Sequence, residues 1–208
     1  MRKTIFLLAV AILGWGAGQP LASSVKQSNS VTAKEYRQTP PPIGYVAYCA
    51  RNPVDCRAEE TVVRPLDLTA ERWALLIKVN SAVNAAIAPI NDQDLYGEPE
   101  YWTVATDAGD CEDILLLKRR ILHASGFPMQ SLRITVVLDE TGAGHAVLTV
   151  TTSQGDYVLD NRRNDIRLWG DTGYKFLKRQ SARDPNLWVS LVKDEAVARR
   201  SIQVGSDR

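Results

Sequence analysis

Two histidines and three cysteines are all that a chain of 208 residues offers for imidazole and thiol chemistry. A nucleophile that needs an imidazole base therefore has only His123 or His145 to use. Excess charge of one sign is also missing. With 25 Lys and Arg against 24 Asp and Glu, no strong field draws nucleic acid or an acidic membrane surface. A mean hydropathy of −0.19 excludes a multi-span membrane protein. Internal repeats and low-complexity tracts are absent. What is present, 45% hydrophobic residues, excludes disorder as the main state and suffices for the core of one globular domain.

The first residues read as an export signal rather than as part of the fold. Arg2 and Lys3 form a basic start, and Ile5 to Leu13 is an unbroken apolar run too short for an ordinary spanning helix. Gly14 to Pro20 breaks the run, and Ala22-Ser23-Ser24 offers small residues for cleavage near Ala22 or Ser24. The alternative is an uncleaved anchor. The expected organisation is a signal peptide over 1–22, a flexible polar leader over 23–42 ending in three prolines, one domain over 43–192 and a charged tail over 193–208. Export to a periplasmic or extracellular compartment permits disulfides. Cys49 and Cys56 flank Asn52-Pro53, which can turn the chain back, so they form the expected pair, and the segment 43–68 is expected to be irregular structure pinned by it. Cys111 is left over, either as a reactive thiol or as a buried inert one.

Helices come first along the chain and strands follow, an α+β layout. Thr69 is an N-cap candidate for a helix reaching Ile90, whose stripe Trp73, Ile77, Asn80, Asn84 and Ile87 repeats at steps of three and four. Asn80 and Asn84 on that stripe either hydrogen-bond a buried loop backbone or touch a substrate. Residues 91–107 read as an aromatic-rich loop in which Trp102 packs in the core or lines a cleft. Gly109-Asp110 then opens a helix from Cys111 to Ala124. Beyond it, Leu132 to Leu138, Ala143 to Thr152 and Tyr157 to Leu159 read as strands of two hairpins, followed by shorter strands around Ile166, Gly173-Tyr174 and Trp188.

One constellation has the parts for nucleophilic catalysis. Cys111 at a helix N-terminus lies among free amides and the positive dipole end, which favour a thiolate and can hold an oxyanion. His123 lies about three turns further along the same helix and cannot serve that thiol. His145 follows Gly142-Ala143-Gly144 at a strand mouth. If Thr151 pairs with Asp156 across the turn, Asp160 falls opposite Val147. His145 and Asp160 then become diagonal neighbours about 7–8 Å apart on one face. A slip of one residue would separate them. Around the thiol, Asp110, Glu112 and Asp113 oppose its ionisation. They either serve the helix dipole or bind a cation such as Ca²⁺.

Glu100-Tyr101-Trp102, Gly109-Asp110-Cys111-Glu112-Asp113, Leu117-Lys118-Arg119, Gly144-His145-Ala146-Val147-Leu148 and Val158-Leu159-Asp160-Asn161 together resemble the bacterial transglutaminase-like cysteine peptidases, from about Tyr45 to Leu191. The resemblance implies a papain-like, transglutaminase-type core in which a helix bearing the cysteine packs on an antiparallel sheet bearing His and Asp. It implies Cys111 as nucleophile, His145 as base and then acid, and Asp160 as the group that orients the imidazole. It also implies Ca²⁺ at Asp110, Glu112 and Asp113, which would offset their charge beside the thiol. A protein substrate is implied, a cell-surface adhesin being the family's best-known kind, with an inner-membrane receptor as a possible regulator. The same triad also serves acyl transfer to an amine, and the same fold without turnover would be a binding module.

Overall fold

The computed structural model describes residues 31–58 and 63–193. The expected signal peptide, the first part of the leader and the tail lie outside the described residues. Within them the leader is not free. Residues 31–42 run along the sheet: the Val31 carbonyl accepts from Asp156 N, Glu35 pairs with Arg133 and Arg179, and Gln38–Thr39 forms strand β1. Polarity suggested a loose leader. In fact its polar groups meet buried charges on the sheet, which composition alone does not reveal.

Helix α1 (Ile43–Arg51) follows the prolines, in a segment expected to be irregular. Pro42 is its N-cap, and Tyr45 and Tyr48 are its buried face, with Tyr45 against Trp102 and Trp188. Gly44 has no room for a side chain, since a Cβ there would meet the Trp102 ring at 2.3 Å. The expected Cys49–Cys56 disulfide is present and ties the end of α1 to the following turn.

Helix α2 (Ala70–Ala86) has Thr69 as its N-cap, with the hydroxyl accepting from Arg72 N. It ends before Ile90, because strand β2 (Ala88–Pro89) begins there. The aromatic-rich stretch also holds a short helix α3 (Asp92–Tyr96) and strand β3 (Ala108–Gly109), which pairs parallel with β2. Helix α4 (Cys111–Ala124) has the expected bounds.

The remaining strands are β4 (Leu132–Leu138), β5 (Gly144–Thr152), β6 (Gly155–Asp160), β7 (Arg163–Leu168), β8 (Lys175–Gln180) and β9 (Trp188–Ser190). With β1 they form a seven-stranded sheet in the order β1-β9-β8-β4-β5-β6-β7, antiparallel throughout. One face meets α1, α2 and α4 around Trp102, Leu76, Leu122 and Ile134. Val137, Val147, Val158, Tyr174 and Phe176 form a smaller apolar cluster. Mixed helices on an antiparallel sheet bear out the α+β expectation. Among the described residues no helix is long and apolar enough to cross a membrane.

Candidate active site

The hairpin register is the one the turn residues suggested. Thr151 lies opposite Asp156, and the ladder runs to Leu148 opposite Leu159. Extending it brings Asp160 beside His145, and their side chains meet with His145 Nε2 2.9 Å from Asp160 Oδ1. Both are buried. Tyr174 OH donates to the other carboxylate oxygen at 2.6 Å, and Arg162 N donates to Oδ1 at 3.0 Å. Burial pushes the Asp160 carboxyl up, but these donors outweigh it and hold the group near 2. Asp160 is thus an ionised acceptor fixed on both oxygens. With Nε2 engaged by Asp160, the Nδ1 atom is the one left to exchange a proton.

The ladder between β5 and β6 stops short of Ala146, and the N-terminus of α4 fills that place. Ala146 N donates to Cys111 Sγ at 3.4 Å, so the thiol lies against β5 one residue beyond His145. Cys111 is the free cysteine and is buried. Its S–H donates to Glu112 Oε2 at 2.9 Å. Burial pushes the thiol's pKa up, and the charges of Glu112 and Asp110 push it further.

The acidic residues do not act as simple caps. Asp110 is the N-cap of α4, yet its carboxylate makes no capping hydrogen bond. Asp113 Oδ1 accepts from Thr103 N at 2.7 Å, outside its own helix. Asp110, Glu112 and Asp113 do not converge as one group. Asp110 and Glu112 gather with the Cys111 sulfur, and Asp110 and Asp113 gather with Asp92, the ligand atoms of each group lying within 4.8 Å of one another. The β2–β3 pair explains Asp92, for it sets the start of α3 beside the start of α4. Gly109 permits the close approach, since a Cβ there would lie 2.6 Å from that of Asp113. Asp92 Oδ1, both Asp110 oxygens, Glu112 Oε1 and Asp113 Oδ2 are buried without a hydrogen-bond partner among the described residues. Desolvation raises Asp110 to about 6, Asp113 to about 8, and Asp92 and Glu112 upward as well. Orphaned, desolvated hard oxygens of this kind fit a divalent cation such as Ca²⁺.

Asn80 and Asn84 take the first of their two readings, donating to the backbone between Asp160 and Asn164. Trp102 is fully buried in the core. His123 is at the end of α4, its Nδ1 3.1 Å from the Phe127 carbonyl, away from the thiol. Two residues of the site escaped the sequence reading. Tyr174 has only its position after Gly173, which turns at φ 80°, as a signal. Asp92 has none, because the strand pair that delivers it is two residues long.

The family model of the bacterial transglutaminase-like cysteine proteinases matches residues 35–196. The chain belongs to that family. This cysteine proteinase also matches solved structures of LapG from Legionella pneumophila at 25% identity and TM-score 0.50. The calcium-bound and the EGTA-treated forms each cover 62% of this chain, and 79% and 78% of their own. A search of curated proteins finds no match. The family and fold make this chain a cysteine peptidase with a papain-like core.

Proposed function

We propose that the protein is an exported thiol peptidase working through Cys111, His145 and Asp160. The observation that carries the reading is the buried His145–Asp160 pair beside the only free cysteine among the described residues. Cys111 attacks a peptide carbonyl as the thiolate after His145 takes its proton. Amides at the N-terminus of α4 hold the oxyanion, and His145 returns the proton to the leaving amine. Water, activated by the same imidazole, then hydrolyses the acyl-enzyme. Asp160 keeps the proton on Nε2 and stabilises the imidazolium.

Ca²⁺ belongs to the same proposal. Asp110 and Asp113 would hold it, with Asp92 as the third carboxylate and Glu112 between the cluster and the thiol. When bound, the ion supplies positive charge that offsets the acids beside the nucleophile. The calcium-bound and EGTA-treated neighbours support trying this ion first. The disulfide and the basic-then-apolar start support a periplasmic or secreted location. A surface adhesin is the substrate, and an inner-membrane receptor the regulator, that the resemblance brings forward.

The test incubates the mature chain with a pool of proteome-derived peptides and labels new N-termini for mass spectrometry. Wild-type chain in calcium should generate N-termini that Cys111→Ala does not. Cleavage retained by Cys111→Ala would overturn the mechanism. Incorporation of a labelled amine in preference to water would replace hydrolysis by acyl transfer. Failure of iodoacetamide to label Cys111 faster than a free thiol, with no cleavage, would leave a binding module.

A further inference from the structure

Lys118 is fully buried on α4, seven residues after Cys111. Seven residues are about two helical turns, so the lysine and the thiol share one face of the helix, about 10.5 Å apart along its axis. A buried ammonium is costly, and methionine would fill the same space without that cost. Burial lowers the Lys118 pKa to about 7, the Asp160 carboxylate acting the other way. Its partner is Asn80 Oδ1 on α2, at 2.8 Å. Asn80 is fully buried too, and its amide donates to the carbonyls of Arg163 at 2.9 Å and Asn164 at 3.2 Å. Asn84, one turn along α2, donates to the carbonyls of Asp160 and Arg163, each at 2.9 Å. The β6–β7 turn is thus gripped by two asparagines at the point where it presents the Asp160 side chain to His145.

Below about pH 7 Lys118 is an ammonium, which can only donate. Facing Asn80, it accepts one orientation of the amide and repels the other. The orientation it selects aims both amide hydrogens at the turn. With the amide reversed, its oxygen would confront two carbonyl oxygens and the turn would lose its donors.

We propose that Lys118 is a positioning residue for the catalytic triad: it orients Asn80, which fixes the β6–β7 turn and so sets Asp160 against the His145 imidazole. The inference rests on the triad reading above. In this arrangement α4 carries the nucleophile at its first residue and the strut for the triad's acid on the same face. One rigid helix then relates the two ends of the triad.

The test is imidazole NMR of the full chain, following the proton on His145 Nε2, with His123→Gln used to assign it. Asp160→Ala should abolish the downfield, slowly exchanging resonance. If it persists there, the pairing of His145 with Asp160 fails, and the triad reading with it. Lys118→Met should keep the fold, with near-wild-type circular dichroism, yet make that proton exchange about tenfold faster, the size of a lost buried hydrogen bond. Asn80→Asp is the second variant. It gives Lys118 an ionic partner but sets an oxygen against two carbonyls in place of both donors to the turn, so it should produce the same faster exchange in a chain that still folds. If Lys118→Met unfolds, Asn80→Asp decides. Wild-type exchange in a folded Lys118→Met or in Asn80→Asp, with the resonance lost in Asp160→Ala, would overturn the brace and leave the triad standing.

Discussion

Replacing Asp92 by asparagine separates the two consequences of the acidic cluster, because they have opposite signs. Asp92 Oδ2 accepts from Tyr101 N, and an asparagine oxygen keeps that bond. Its amide would then face Asp110 and Asp113 as a donor where a carboxylate oxygen had none. Two unit charges at the 4.8 Å limit of this group repel by about 3.5 kcal/mol at an effective permittivity near 20. The acids are only partly ionised at neutral pH, with Asp110 raised to about 6 and Asp113 to about 8. That reduces the expected gain to about 1–2 kcal/mol, or about 2–8 °C in melting temperature for a domain of this size. Asp92→Asn should therefore melt higher than wild type in EGTA. In calcium it should gain less, because one of three anionic ligands is gone. Each tenfold loss in affinity removes about 1.4 kcal/mol of ligand stabilisation. Thermal unfolding by circular dichroism at pH 7, with EGTA or millimolar calcium, reads both effects. A lower melting temperature in EGTA, or an undiminished calcium shift, would refute the idea that these carboxylates form one cation site.

Two further outcomes follow from the same structure. Asp110 and Asp113 are harder to ionise folded than unfolded, so they cost nothing below about pH 4, where both states are protonated. Above that the unfolded chain releases protons that the fold retains, and stability in EGTA should fall as pH rises from 5 to 7. Asp160, held near 2, contributes its full stabilisation across that window, and Lys118 opposes the trend only above about 7. A flat profile in EGTA would contradict the desolvated cluster, whereas calcium should flatten it. Reducing the Cys49–Cys56 disulfide opens a loop of sequence separation 7, which in the chain-entropy account costs about 2–3 kcal/mol. Denaturant midpoints with and without reductant measure it, and an unchanged midpoint would refute that cost.

Much of the site was legible because its placement is local. The Ser153–Asp156 turn sets the β5–β6 register, and a period of two then brings His145 and Asp160 together without tertiary knowledge. Cys111 was legible because Gly109 and Asp110 announce a helix start. Helix α1 was not, for Tyr45 on its buried face packs against Trp102 and Trp188, which lie far along the chain. Asp92 was hidden for the same reason. Its approach to Asp110 depends on a strand pair too short to leave a periodic trace. Glu112 and Asp113 look equivalent in sequence, but the helix turns one toward the thiol and the other toward Thr103.

Strand β1 has a consequence for the order in which the molecule is made. It pairs with β9, and the residues before it bind Asp156, Arg133 and Arg179. Strand β1 therefore has no strand partner until the last strand has been synthesised. A nascent chain cannot close this sheet halfway. Its β1 edge must remain open until residue 190 is free of the ribosome. Such a sheet is a timer: its outermost strand finds its place only after the whole described domain has been made.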